Sequence, residues 1–143
     1  MAVKDLYQEL ADVPDKFDYT ADHAWIEFGE DTVKLGLTAP ASRCLGTVRY
    51  LSLPPRGARL EAGERCGLIA SIRLCSDLFA PVSGEVVEVN TEVLDDPSLL
   101  LCSNDSDVSW LVKVRLTAWP EHVLTPEEYR ECVGSAFPSH AKD

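Results

Sequence analysis

A chain of 143 residues with 45% hydrophobic and 26% charged residues has the composition of one globular domain, long enough for a core and too short for two. The net charge of −11 argues against nucleic acid and anionic membrane as partners, and no apolar run approaches the ~20 residues that span a bilayer. The opening Met1-Ala2-Val3-Lys4-Asp5 has neither an apolar stretch nor a small-residue cleavage site, so a cytoplasmic protein is expected.

In chain order, Val3, Leu6, Tyr7 and Leu10 recur at helical spacing and predict a short amphipathic helix over residues 1–12, ended by Pro14. The period then becomes two. Trp25 to Phe28 predicts a strand, Gly29-Glu30-Asp31 a turn, and Thr32 to Leu37 a half-buried strand. Thr47 to Leu53 alternates again and stops at Pro54-Pro55. Further strands are predicted at Arg65 to Ile72, Phe79 to Val82, Gly84 to Asn90 and Trp110 to Leu116. A helix is expected at Ala39 to Cys44. A second is expected from Thr125, where a capping Thr precedes Pro126 and Glu128, to about Val133, with Gly134 as its stop. Residues 135–143 read as a frayed tail. Short strands punctuated by Gly and Pro indicate an all-β sandwich or barrel and not βαβ units. Gly46 to Leu51 and Gly84 to Val89 are similar glycine-led strands, and the stretch Ser71 to Leu78 between them suggests a hairpin loop projecting from a two-fold flattened barrel.

Charge is unevenly spread. From Met1 to Asp31 nine acidic residues face Lys4 and Lys16, whereas from Arg43 to Arg73 six arginines face Glu61 and Glu64. Solvated strand edges and loops explain that basic stretch more simply than a docking face. The five cysteines (Cys44, Cys66, Cys75, Cys102, Cys132) contain no C-x-x-C unit, so no zinc or redox pair is expected. Mostly buried thiols are the simplest reading, with Cys75 the exception. His23 is expected to pack and hydrogen-bond beside Trp25, His122 and His140 lack paired ligands, and Trp25, Trp110 and Trp119 read as core or rim aromatics. Neither a Ser/His/Asp order nor a phosphate-binding glycine loop is present, so no enzyme is expected.

Short motifs spread in order along the chain carry a resemblance. Val13-Pro14, Tyr19-Thr20-Ala21-Asp22-His23-Ala24-Trp25, Gly36-Leu37-Thr38, Leu45-Gly46, Leu53-Pro54 and Gly57 lead to the strongest segment, Ser76 to Asn90. Leu94, Pro97 and Trp110-Leu111-Val112-Lys113-Val114 follow. Over residues 13–134 the sequence resembles the glycine cleavage H-protein family. The resemblance implies an all-β-dominated, flattened barrel-sandwich hybrid of the lipoyl/biotinyl type with short N- and C-terminal helices. It implies a shuttle that catalyses nothing, whose hairpin lysine carries lipoate between the decarboxylase, the aminomethyltransferase and the dihydrolipoyl dehydrogenase.

The departures set the remaining expectations. Where the family has Glu-Ser-Val-Lys, this chain has Ala70-Ser71-Ile72-Arg73. Lipoylation needs an amine that can be neutral, and a guanidinium stays protonated to a pKa above ~12. Arg73 is thus the unmodifiable equivalent of the lipoyl position, on a tip formed with Ser71, Ile72, Leu74, Cys75 and Ser76. The lysines Lys4, Lys16, Lys34, Lys113 and Lys142 are all distant from it in sequence. The family's Thr-Asp-x-Ala-Gln segment is Thr38-Ala39-Pro40-Ala41-Ser42, and its Pro-Tyr-Gly-x-Gly-Trp loop is replaced by Asn104 to Trp110. These changes predict no cofactor, lipoate attachment being lost. They favour a scaffold for a protein that docks H-proteins, such as an aminomethyltransferase-like or lipoate-attaching enzyme. A carrier using the Cys75 thiol through a disulfide or thioester is the alternative, with an incidental cysteine the simpler view of that residue. An ordinary H-protein carrier is a third reading, should the chain have been altered at Arg73.

Overall fold

The structure, a computed structural model, describes residues 13–102, 105–120 and 123–136. The helix expected over residues 1–12, Asn104, His122, His140 and the tail beyond residue 136 lie outside the described residues. Among the described residues nine strands make two antiparallel sheets. The larger has the order β1 (Asp18–Tyr19), β2 (Ala24–Phe28), β3 (Val33–Leu37), β9 (Val112–Leu116), β8 (Gly84–Val89) and β5 (Arg59–Leu60). The smaller has β4 (Val48–Ser52), β6 (Arg65–Ser71) and β7 (Cys75–Phe79). Helices α1 (Ala39–Leu45), α2 (Thr91–Asp95), α3 (Ser106–Ser109) and α4 (Pro126–Ala136) and a 3₁₀ turn (Pro97–Leu101) complete the described chain. Among the described residues no helix is long and apolar enough to cross a membrane.

Alternation drives the sheets. In β3, Val33 and Leu35 turn inward while Lys34 turns out, and β9 repeats this with Val112, Val114 and Lys113. Their inward residues join Ile26, Leu60, Val82 and Val86 in the core, where Ile26, Val82, Val86 and Val114 are fully buried. A second cluster (Leu37, Leu45, Leu51, Ile69, Val93, Leu100 and Leu111) ties the smaller sheet to α1, α2 and the 3₁₀ turn. A third packs Val13, Phe17, Tyr19 and Trp25 against Tyr129 of α4.

The expected strand at Phe79 to Val82 is corrected: the strand is Cys75–Phe79, and the hairpin turns within Ile72 to Leu74. Cross-strand pairing of Ala70 with Cys75, Ile69 with Ser76 and Leu68 with Asp77 decides this, although Ser76 and Asp77 have poor strand propensity. Pro81 has no N–H for a ladder, and Ala80 instead donates to the Glu64 carbonyl at 2.8 Å. Both expected helices form. Thr38 caps α1, its Oγ1 accepting from Ala41 N at 3.3 Å. Thr125 and Glu128 exchange reciprocal bonds of 2.9 and 3.1 Å at the start of α4, which runs past Gly134 to Ala136. Cys75 is exposed, as expected of it, whereas Cys102 is also exposed and Cys66 only half-buried, which departs from the expectation of buried thiols.

Candidate functional site: the β6–β7 hairpin and the adjoining cleft

Ser71 builds the tip. Its N–H donates to the Leu74 carbonyl at 2.8 Å, and its Oγ accepts from the N–H groups of Arg73 and Leu74 at 3.2 Å each. A hydroxyl that satisfies two loop amides makes a tight turn without glycine. The tip is also tied to the body, because Ile72 N donates to the Thr47 carbonyl at 3.1 Å. The loop is narrower than the sequence suggested: Ile72, Arg73 and Leu74 form it, Ser71 ends β6, and Cys75 and Ser76 already pair within β7.

Arg73 folds back onto the body. A Cβ placed on Gly46 would lie 3.4 Å from Arg73 Nε and 3.7 Å from its Cζ. Gly46 follows α1 with φ of 74°, a conformation that favours glycine, and its N–H donates to the Ser42 carbonyl at 3.1 Å. Beside it is a cleft of about 110 Å³ between α1, the start of β4 and the 3₁₀ turn, walled by Leu45, Val48 and Leu100 with Leu101 at its lip. Around the tip, Ile72, Leu74 and Tyr50 are exposed apolar side chains, from 45% to 59% accessible. Arg65 Nε donates to Asp77 Oδ1 at 2.7 Å across the hairpin. The smaller sheet carries no lysine. Lys34 and Lys113 stand on β3 and β9 of the larger sheet, Lys34 paired with Asp107 at 2.9 Å and Lys113 with Glu88 at 3.2 Å. The hydrogen bond and charge of Lys34 hold the Asp107 carboxyl below its usual value.

The segment that replaces the family's aromatic loop is described from Asp105 onward. Asp105 caps α3, its Oδ1 accepting from Asp107 N at 3.1 Å, and Asn90 Nδ2 donates to the Trp110 carbonyl at 2.7 Å. Sequence reasoning missed α3, whose four residues carry no periodic signal; Asp105 as a capping residue, with Asp107 in the first turn, was the available cue. His23 has the structural role expected of it. Its Nδ1 lies 2.7 Å from the Tyr129 hydroxyl, which is 2.8 Å from Thr38 Oγ1, and burial pushes its pKa down. Trp25 is core, stacked on Phe17 at 4.4 Å, whereas Trp119 is a surface residue. Among the described residues no group of His, Cys, Asp or Glu could hold a metal ion.

The sequence model of the "Glycine cleavage H-protein" family matches residues 17–135. The H protein of Streptomyces avermitilis is 43% identical over 123 residues, 85% of this chain and 98% of the relative, and that of Thermobifida fusca 41% over 119 residues, 83% and 94%. The crystal structure of the H protein from Mycobacterium marinum superposes with a TM-score of 0.79 at 38% identity, covering 85% of this chain and 98% of the other.

These matches correct one expectation. The absence of a cofactor was inferred from Arg73, but the relatives are H proteins, and lipoate is what H-proteins normally carry. Lipoate is therefore the cofactor expected of a member. The Arg73 guanidinium does not fit amide attachment at that side chain. The fold and the matched sequence are those of a carrier protein and not of a catalyst, and the chain belongs to the glycine cleavage H-protein family.

Proposed function

We propose that this chain is a docking module of the glycine cleavage system, working in the cytoplasm, with residues 13–134 as the H-protein body. That body would be recognised by an aminomethyltransferase-like or lipoate-attaching protein, to which the β6–β7 hairpin is presented. The observation that carries the reading is full-length retention of the H-protein body around a tip where Arg73 takes the carrier position. The exposed Ile72 and Leu74 supply apolar contact area, and a loop already held by Ser71 and Thr47 loses little entropy on docking.

Calorimetry with the purified aminomethyltransferase and lipoate-attaching enzyme of the same organism tests it. Binding by either, weakened at least about tenfold by Ile72→Asp with Leu74→Asp, is the expected result. No binding by both overturns it. The ordinary carrier is the second reading, favoured by the 43% identity over 98% of a relative. Arg73→Lys separates the two, since it restores an acylable amine while Ala70 still lacks the family's neighbouring carboxylate. The docking reading expects slow acceptance of lipoate, better acceptance when Ala70→Glu is added, and poor support of glycine cleavage by both variants. Full glycine cleavage from the single lysine variant would make the chain an ordinary carrier changed at one position.

A further inference from the structure

We infer that the trough beside Trp119 is a docking site for a proline-rich segment with a basic residue, supplied by another protein. The trough measures about 530 Å³ and lies at the base of the β6–β7 hairpin, the end remote from its tip. Ala62 and Gly63, before β6, and Ala80 and Pro81, after β7, form one wall; the β1–β2 turn and the chain after β9 form the others. The side chains of that wall are small, and a Cβ on Gly63 would meet nothing within 4 Å, so a ligand comes close to the backbone. The same wall offers no edge to an added strand. Gly63 N donates to the Ala80 carbonyl at 2.8 Å, Ala80 N to the Glu64 carbonyl at 2.8 Å and Ala62 N to Ser83 Oγ at 2.9 Å, while Pro81 has no N–H. A polyproline II segment suits such a wall, because its prolines bring no donor that needs a partner and its shape is set before binding, one turn taking ~3 residues.

Trp119 supplies the contact area. It lines the trough with 79% of its surface in solvent, and the Phe28 ring stands beside it at 6.2 Å between centroids. Proline rings pack on an indole face, covering it removes apolar area from water, and the indole N–H donates to a carbonyl of the segment. Charge fixes the flanking residue. Among the described residues that line the trough Asp22 is the only charged one, so a basic residue complements it and an acidic one is repelled. The site lies away from Ile72 and Leu74 and does not depend on the docking reading of the hairpin tip.

Titration of the ¹⁵N-labelled protein with the capped peptide Pro-Pro-Arg-Pro-Pro-Pro tests the assignment by amide and indole chemical shifts. Two further peptides run in parallel, one with Glu in place of Arg and one with Ala in place of every Pro. The first peptide is expected to move the Trp119 indole and the Asp22 and Gly63 amide signals saturably, with the alanine peptide at least about tenfold weaker and the glutamate peptide at least about threefold weaker. Trp119→Ala should cost at least about tenfold in affinity and Asp22→Asn about two- to fivefold, while Ile72→Asp with Leu74→Asp leaves binding unchanged. Trp119 is exposed, so an otherwise unchanged spectrum verifies that its Ala variant is folded. The site is refuted by absence of a saturable shift, by equal binding of the alanine or glutamate peptide, or by undiminished binding in Trp119→Ala. Shifts of the same signals that follow protein concentration without peptide would assign the trough to a second copy of the chain and refute it as well.

Discussion

Gly36 illustrates how one atom is decided by its neighbour. A Cβ there would stand 2.2 Å from the Trp25 ring, which is 1% exposed and held flat by Phe17. The indole cannot move aside, so Gly36→Ala is expected to cost ~1–3 kcal/mol by overpacking, read as a lower urea midpoint. At His23 the decisive effect is burial, which disfavours the imidazolium and lowers the pKa, partly opposed by Asp22. The unfolded chain then binds the extra proton more readily than the folded one. Stability is complete above about pH 6.5 and falls as pH drops from there toward the lowered folded value, below which the loss is constant. Urea midpoints between pH 8 and 5 should show that decline, and His23→Gln should flatten it. Cys75 is exposed on β7 and Cys102 is exposed after the 3₁₀ turn. If Cys75 were a covalent carrier, it would react with an alkylating reagent well ahead of the others; equal labelling of Cys75 and Cys102 would mark it as incidental.

The hairpin raises the same issue for a whole element. One hydroxyl satisfies two tip amides, so Ser71→Ala is expected to speed hydrogen exchange at Arg73 and Leu74 while leaving the β2–β3 amides unchanged. Unchanged exchange at the tip would show that the Thr47 tie alone holds it. The same element marks the limit of what was legible in sequence. Val33 to Leu37 and Gly84 to Val89 announced themselves because one face of each is buried, and Thr125 to Glu128 because a capping box is local chemistry. Cys75 to Phe79 did not, since an edge strand that is almost wholly exposed has no buried face to impose alternation. Arg73 was found by its place in a motif, but its resting position on Gly46 required the fold, because residues 27 apart meet only after β4 and β6 pair.

At the scale of the molecule, Ile69 joins the hairpin to everything else. It is 2% exposed on β6 and packs with Leu37, Leu45, Leu51 and Leu100, so it links the smaller sheet to α1 and the 3₁₀ turn. Ile69→Ala should destabilise by ~2–5 kcal/mol and loosen the cleft wall along with the hairpin, both visible in denaturant unfolding and amide exchange. Charge is arranged on a similar scale. Most of the acidic excess lies outside the smaller sheet, whose described arginines all stand in solvent, so it could not have been read as core or surface from composition alone.

The three tryptophans stand at three depths, and this makes the protein its own optical reporter. Trp25 is sealed in the aromatic cluster with Phe17, Trp110 is half-covered with Lys113 Nζ 5.1 Å from its ring, and Trp119 is 79% exposed. Iodide should therefore extinguish the red, solvated part of the emission first and leave a blue-shifted remainder from Trp25. Because that remainder depends on the packing of Phe17 and Tyr129 against the N-terminal strands, its red shift in denaturant dates the loss of that end of the molecule. Trp119, already solvated in the folded state, should shift its emission little in denaturant and so gives the baseline of the same titration.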